Sequence, residues 1–379
     1  MRRIAVVTGT RAEWGILEPV CAAIAARADL SLEVCAGGAH LLASAAAGGE
    51  PTIALVERAG HRTHRFEMQR AGETGRAADA VALGRGVLAF AELLPRLAPD
   101  FVLVLGDRIE AFAAASAASV GGVRVAHVHG GDRAEGVADE AMRHAIAKLA
   151  HLHFPASAES AARLARMGEE SARIHLVGSP AVDGLDAIAP ASDEAHAAVG
   201  APDFVFLMHP VGRDDADEER DARAILDALL ARGRVLALLP NTDPGREGIV
   251  RAIEAIASLH PARVRVAANL ARADFVALLR HRAVRAIVGN SSAGLIECAA
   301  LAVRAVNIGD RQGGRERADN ARDVATGDLA ALGRELDALP SWRPSGGHPY
   351  LAGGASRRIA EALATVDLGR CGLRKRNAD

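Results

Sequence analysis

The sequence contains few aromatic residues and no excess of charge of either sign. Aromatic side chains make up 3% of the 379 residues, and 45 basic residues nearly balance 47 acidic ones, for a formal net charge of -2. A chain without a basic excess lacks the positive field that attracts nucleic acid or an anionic membrane surface. We therefore expect neither nucleic acid nor a membrane among its partners.

Paired cysteines, long apolar runs and the common nucleotide-binding motifs are also missing. No apolar run approaches the length that spans a bilayer, and the apolar start of the chain is too short for a signal peptide, which predicts a cytoplasmic protein. No segment matches a Walker A or a G-x-G-x-x-G pattern, so we expect no nicotinamide or other cofactor. The cysteines form no C-x-x-C pair and predict packed free thiols: Cys21, Cys35, Cys298 and Cys371.

Strand and helix patterns alternate along almost the whole chain, which predicts an α/β fold with parallel, doubly wound sheets. A chain of 379 residues is too long for one ordinary core. We predict an N-terminal Rossmann-like domain over residues 1–180 and a second one over 181–379. The final helix, Ser356 to Val366, is expected to pack back on the first domain, and the basic tail from Arg370 to Arg376 is expected to be frayed.

Three local patterns give more specific expectations. The segment from Gly86 to Leu94 predicts a helix that Pro95 ends or kinks. Arg173 to Val177 reads as a strand. The turn from Asn290 to Gly294 is expected to open a helix that continues to Ala300.

Acidic residues follow two neighbouring strands of the first half. Phe101 to Leu105 is an apolar strand that leads into Gly106 and Asp107, and Val123 to Val128 leads into a glycine turn and Asp132. The carboxyl ends of adjacent parallel strands are where open α/β folds bind ligands. Any one of these acids could be a solvated loop residue or a helix cap, but the cluster favours function. Further polar residues follow in the chain: Glu135, Asp139, Glu140, Arg143 and His144.

A metal site is not expected at this cluster. His127 and His129 stand at i, i+2 on one strand, close to Asp132. Two histidines on one strand face lack the further ligands that a zinc site needs.

The second half contains a candidate phosphate-binding turn, Asn290-Ser-Ser-Ala-Gly294. Small residues let the backbone approach an anion, hydroxyls donate to it, and a following helix N-terminus would direct N–H groups at it. An ordinary helix cap is the alternative. The loop from Gly309 to Arg317 adds three arginines, which favours a bound diphosphate.

Several segments together resemble one enzyme family, in the family's order along the chain. They are Gly9-Thr-Arg-Ala-Glu-Trp-Gly15, Leu105-Gly-Asp-Arg-Ile-Glu110, His127-Val-His-Gly-Gly-Asp-Arg-Ala-Glu-Gly136, Arg143-His-Ala-Ile-Ala-Lys148, Val177-Gly-Ser-Pro180, His209-Pro210, Gly289-Asn-Ser-Ser-Ala-Gly294 and Val306-Asn-Ile-Gly-Asp-Arg-Gln312. The chain resembles the hydrolysing UDP-N-acetylglucosamine 2-epimerases of sialic and legionaminic acid biosynthesis.

The resemblance implies a GT-B fold, in which two Rossmann-like domains face each other across a cleft, and a homodimer. It implies conversion of UDP-N-acetylglucosamine and water to N-acetylmannosamine and UDP through a 2-acetamidoglucal. By this resemblance the catalytic residues are Asp107, Asp132, Asp139, Glu140 and His209. The expected substrate-binding residues are Arg11, Glu110, Glu135, Arg143, Asn241, Ser291, Ser292, Ala293, Gly294, Glu297, Arg311 and Gln312.

Asp132 departs from the family pattern, which usually has glutamate there. A carboxylate that is one methylene shorter is retracted by roughly 1 Å. The identity of the substrate sugar therefore stays open. The alternatives are a UDP-2,4-diacetamido-2,4,6-trideoxy sugar or GDP-N-acetylglucosamine in the same reaction, a non-hydrolysing 2-epimerase, a GT-B glycosyltransferase, or a sugar-nucleotide sensor without catalysis.

Overall fold

The computed structural model describes residues 1–42, 51–135, 140–241 and 243–378. The chain divides into two compact units, and each is built on its own six-stranded sheet. Unit 1 comprises Met1–Arg133, Ala138–Asp183 and Tyr350–Asp379; unit 2 comprises Gly184–Pro349 and the short segment Ala134–Val137. The α/β prediction is confirmed.

Every strand pairing within the two sheets is parallel. In unit 1 the strands are β1 Arg2–Thr8, β2 Leu30–Gly37, β3 Thr63–Phe66, β4 Phe101–Leu105, β5 Arg124–Val128 and β6 Leu152–Phe154. In unit 2 they are β7 Phe204–Leu207, β8 Val235–Leu238, β9 Val264–Ala267, β10 Ala286–Gly289, β11 Ala305–Ile308 and β12 Ala321–Val324. The spatial orders are β3-β2-β1-β4-β5-β6 and β12-β11-β10-β7-β8-β9. The strand order reverses beside β1 in one sheet and beside β7 in the other, the place where such folds bind ligands.

Helices connect the strands in both units. They are α1 Arg11–Ala25, α2 Ile53–Arg58, α3 Arg76–Leu97, α4 Ile109–Val120, α5 Glu140–Leu149, α6 Ala158–Arg166, α7 Asp193–Ala198, α8 Asp215–Leu230, α9 Arg246–Leu259, α10 Arg272–Leu279, α11 Glu297–Ala300, α12 Leu329–Ala338 and α13 Ala355–Thr365. Among the described residues no helix is both long and apolar enough to cross a membrane.

Buried apolar residues explain why the strands form where they do. All five residues of β4 are buried, and their unbroken apolar run fits a strand covered by helices on both faces. One core cluster of unit 1 combines Ile4 of β1, Leu17 of α1 and Leu103 of β4 with Ile359 and Leu363 of α13. The chain therefore returns to unit 1 for its last helix.

Three local expectations were wrong. α3 begins ten residues earlier than the predicted helix. It does not end at Pro95, because the buried side chains of Phe90, Leu93, Leu94 and Leu97 hold its last turn in place. Residues 173–177 form no strand; only a single bridge joins Ile174 to His153.

The helix predicted after the phosphate turn is also interrupted. A 3-10 turn at Ser292–Gly294 is followed by the four-residue α11. The long helix N-terminus expected there is therefore replaced by a tight turn.

The C-terminal tail is docked on unit 1, which contradicts the expected fraying. Lys375 Nζ lies 2.6 Å from Glu169 Oε2, and the carbonyl of Cys371 accepts from Arg124 Nε at 2.7 Å. His151 Nε2 lies 3.1 Å from the carbonyl of Leu373. Specific polar contacts therefore fix a segment whose composition alone suggested disorder.

Candidate active site

Asp107 lies directly after β4, at the carboxyl end of the first sheet. Gly106 has a φ of +71°, a left-handed conformation that lets the chain turn sharply before the aspartate. The Asp107 carboxylate forms an ion pair with the guanidinium of Arg143, which projects from α5. The Arg143 side chain is 4% exposed and that of Asp107 is 17% exposed. A buried cation thus holds a carboxylate that solvent or a ligand can still reach.

His127, on β5, supports the turn that carries Asp107. Its Nε2 lies 2.7 Å from the carbonyl of Gly106 and donates to it. The imidazole is completely buried, and burial lowers the pKa of His127 to about 3, so the ring is neutral. This histidine therefore supports the turn that carries Asp107.

Acid should destabilise unit 1 through its buried histidines. Burial also lowers the pKa of His40, to about 4. Both pKa values lie below the ordinary 6.5, so the unfolded chain binds more protons and stability falls as pH drops from 6.5 towards 4. Below about pH 6, where the unfolded histidine is mostly protonated, we expect each histidine to contribute a slope that approaches about 1.4 kcal/mol per pH unit to the free energy of unfolding. Urea unfolding at a series of pH values between 6 and 5 measures this slope.

The His127→Gln variant is the internal check on this slope. Its amide can still donate to Gly106 but does not titrate, so the slope should decrease by about 1.4 kcal/mol per pH unit. An unchanged slope would show that His127 does not cause the acid sensitivity.

Asp132 lies in a buried network beyond the end of β5. Its Oδ2 lies 3.2 Å from His129 Nδ1, and its Oδ1 accepts from Ser160 Oγ at 2.8 Å. The other ring nitrogen of His129, Nε2, lies 2.9 Å from Ser179 Oγ. The backbone carbonyl of His129 accepts from Arg143 at 3.3 Å, which links this network to the Asp107 pair.

Glu110, expected to bind substrate, is completely buried in unit 1. Gln69 Nε2 donates to its Oε1 at 2.7 Å, and Arg108 Nε lies 3.3 Å from its Oε2. A Cβ at Gly9 would come within 2.4 Å of the Glu110 side chain, so only glycine fits there. Burial and the nearby Glu110 raise the pKa of Glu13, whose carboxylate caps α1, to about 7.

Two of the other predicted residues of unit 1, Arg11 and Glu140, lie within the described residues. Arg11 is the first residue of α1, and partial burial lowers its pKa. Glu140 Oε1 lies 3.2 Å from His144 Nε2. Asp139 lies outside the described residues.

Unit 2 presents a second polar group at the carboxyl ends of β7 and β10. The side-chain amide of Asn290 accepts from the backbone N–H of His209 at 2.7 Å and donates to the His209 carbonyl at 2.8 Å. The backbone carbonyl of Asn290 accepts from Arg311 at 3.3 Å and from Gln312 at 3.1 Å. One buried asparagine therefore organises His209, a predicted catalytic residue, and two predicted substrate-binding residues.

The ring of His209 has a defined orientation. The backbone N–H of Asn241 donates to His209 Nδ1 at 3.1 Å. A ring that accepts at Nδ1 has its proton on Nε2, where it can donate to an anion.

The remaining predicted residues of unit 2 have separate contacts. Ser291 Oγ accepts from the N–H of Ala293 at 3.4 Å and so caps the 3-10 turn Ser292–Gly294. Glu297 Oε1 lies 3.7 Å from Arg272. The N–H of Glu135 donates to the carbonyl of Gly313 at 3.0 Å. No cluster of His, Cys, Asp and Glu with the geometry of a metal site occurs among the residues that the structure describes.

The sequence predicted no site role for His129, Ser160 or Ser179, and it placed Asn290 in the phosphate turn without a role of its own. His129 and Asn290 each follow a strand end, the same signal that identified Asp107, and could have been found that way. Ser160 and Ser179 approach Asp132 and His129 only through tertiary structure.

Comparisons with known proteins now give the family. The family model described as UDP-N-acetylglucosamine 2-epimerase matches residues 22–364. The chain belongs to this family. The family predicted from the motifs is confirmed.

The chain is similar over most of its length to two members of the family. It is 34% identical over 384 residues to the UDP-N,N'-diacetylbacillosamine 2-epimerase (hydrolyzing) of Legionella pneumophila, with 100% of each chain covered. It is 31% identical over 320 residues to a UDP-N-acetylglucosamine 2-epimerase of Neisseria meningitidis serogroup B, covering 83% of this chain and 81% of the relative.

The fold agrees with that of a solved structure. The Staphylococcus aureus MnaA–UDP co-structure superposes with a TM-score of 0.81 at 17% identity, over 100% of both chains. The predicted GT-B-like class of the chain is thus confirmed, and the protein is a sugar-nucleotide 2-epimerase of this family.

Proposed function

We propose that this 2-epimerase is hydrolysing and that it converts a UDP-activated 2-acetamido sugar and water to UDP and the free C2-inverted sugar. The observation that supports this most directly is Asp107, a partly exposed carboxylate paired with the buried Arg143 at the carboxyl end of β4. The full-length similarity to a Legionella enzyme whose name includes hydrolysis supports the same reaction.

The chemistry explains the need for such a carboxylate. The C2 proton of the sugar becomes acidic only as the C1–O bond to UDP breaks and positive charge develops at C1. We assign Asp107 as the base that removes this proton, which leaves a 2-acetamidoglucal while the bonding electrons leave with UDP. Water then adds its hydroxyl to C1, and a proton returns to C2 on the opposite face. Glu140 and Asp139 remain predicted catalytic residues.

Departure of UDP requires stabilisation of the diphosphate. The Nε2–H of His209, the hydroxyls of Ser291 and Ser292 and the side chain of Arg311 are the proposed donors. Each lies on unit 2, at the end of β7, after β10 or after β11. The preorganisation by Asn290 supports this assignment, because donors that are already held in place lose little entropy on binding.

Two sugars remain as substrates, and both fit the proposed chemistry. The relative from Neisseria meningitidis is named for UDP-N-acetylglucosamine, the sugar nucleotide that the motif resemblance implies. The relative from Legionella, which matches over its full length, is named for UDP-N,N'-diacetylbacillosamine, a 2,4-diacetamido-2,4,6-trideoxy sugar nucleotide. The location of the protein in the cytoplasm and its homodimeric state remain predictions.

Product analysis with both sugar nucleotides tests the proposal. We expect UDP and free sugar to appear in equal amounts from at least one substrate, measured by anion-exchange chromatography and proton NMR. An epimerised sugar still joined to UDP would instead indicate the non-hydrolysing reaction. Turnover only with an added acceptor would indicate a glycosyltransferase, and binding without turnover a sensor.

A further inference from the structure

Asp132 faces the protein interior, although its motif suggests a catalytic acid. Its side chain is 5% exposed, against 17% for Asp107. We infer that Asp132 is a positioning residue, which acts on Asp107 through His129 and Arg143 and does not itself exchange protons with the sugar. This inference rests on the proposed function, in which Asp107 performs the proton transfer.

The contacts of Asp132 with Ser160 and His129 form the first link between Asp132 and Asp107. Ser160 Oγ donates to one carboxylate oxygen at 2.8 Å, and His129 Nδ1 lies 3.2 Å from the other. Ser160 is itself held, because its Oγ lies 3.1 Å from Ser157 Oγ at the start of α6. A base for the sugar must direct an oxygen at the C2 proton, whereas both oxygens of Asp132 are turned to protein donors.

The ring and backbone of His129 form the second link. Because a carboxylate only accepts, Nδ1 of the ring bears a hydrogen, and in the neutral ring Nε2 accepts from the buried hydroxyl of Ser179 at 2.9 Å. The ring is thus fixed at both ends. The backbone of His129 has a φ of +63°, in the left-handed region, where residues other than glycine are uncommon. Clamping the ring stabilises that backbone conformation.

The guanidinium of Arg143 forms the third link. The left-handed backbone directs the carbonyl of His129 at the Arg143 guanidinium, 3.3 Å away, and the same guanidinium binds Asp107. A shift of this carbonyl would move the arginine and the carboxylate together. A misplacement of 1 Å can reduce turnover by about 100-fold.

Nuclear magnetic resonance tests the first link directly. We expect an exchange-protected, low-field proton resonance from Nδ1–H of His129 in the wild-type protein. His129→Asn should remove it, which assigns it, and asparagine tolerates the left-handed backbone. Asp132→Asn should weaken or remove it, whereas Asp107→Asn should leave it unchanged. Absence of the resonance from the wild type would contradict the inferred contact.

A double-mutant cycle tests the role in the reaction. We expect Asp132→Asn to lower kcat by about 10- to 100-fold with little change in UDP affinity. Asp132→Glu keeps the carboxylate and should restore part of the rate. In the His129→Asn background Asp132→Asn should have almost no further effect, because both act through one contact. Asp29→Asn, an exposed aspartate of unit 1 paired with Arg27, is the matched control.

Other outcomes have different meanings. Losses that multiply in the double mutant, with Asp132→Asn as damaging as Asp107→Asn, would show that Asp132 acts on the sugar itself. A wild-type protein that shows the resonance but consumes no sugar nucleotide would contradict the proposed function and leave the buried network intact.

Discussion

The Asp107→Asn variant is expected to lose turnover almost completely while it continues to bind UDP. The amide has the size of the carboxylate but cannot accept a proton from C2, so the general-base contribution disappears. We expect kcat to fall by about 10³- to 10⁴-fold. UDP affinity, measured by isothermal titration calorimetry, should change less than about twofold, since the proposed diphosphate donors lie on unit 2.

The control for this prediction is Asp29→Asn, which changes an exposed ion pair in the same unit. It should leave both quantities unchanged. An Asp107→Asn protein with more than a tenth of wild-type kcat would exclude Asp107 as the base. A parallel loss of UDP affinity would show that Asp107 contributes to ground-state binding instead.

The Asn290→Asp variant should show the opposite pattern. The Nδ2 donor that holds the carbonyl of His209 becomes an oxygen, and two acceptors then face each other in a buried position. His209 loses its side-chain anchor, and a negative charge is placed beside the proposed diphosphate donors, so UDP affinity should fall by about 10- to 100-fold. Calorimetric titration with UDP measures this effect.

Asn269→Asp, at an exposed position of unit 2, introduces the same charge away from the turn and should bind UDP normally. If Asn290→Asp binds UDP as the wild type does, Asn290 does not organise the diphosphate site. A loss of melting temperature without a loss of affinity would assign Asn290 a purely structural role.

Strand ends were the part of the site that sequence could predict. The apolar run of β4 had to be buried, so the polar residues after Leu105 had to emerge at the carboxyl end of the sheet, as Asp107 does. Asn290 and His209 follow β10 and β7 for the same reason. Local patterning thus locates the edge of a sheet and the residues that reach it.

The direction of each side chain could not be read in this way. Asp132 follows a strand as Asp107 does, yet Ser160 of α6 and the ring of His129 turn its carboxylate inward. Those contacts depend on how α6 packs at Gly131, where a Cβ would lie 2.3 Å from the carbonyl of Ser160. The docked tail and the continuation of α3 through Pro95 likewise depend on tertiary contacts that outweigh local propensity.

Solvent-isotope incorporation at C2 tests the central claim of this account most directly. The wild-type protein is incubated in deuterated water with the sugar nucleotide that it consumes, and the released sugar is analysed by proton NMR and mass spectrometry. We predict free sugar of the inverted C2 configuration with one deuterium at C2, formed together with free UDP. Free sugar that keeps its original C2 proton would show that the C2–H bond never breaks, and would contradict the assignment of Asp107 as the base.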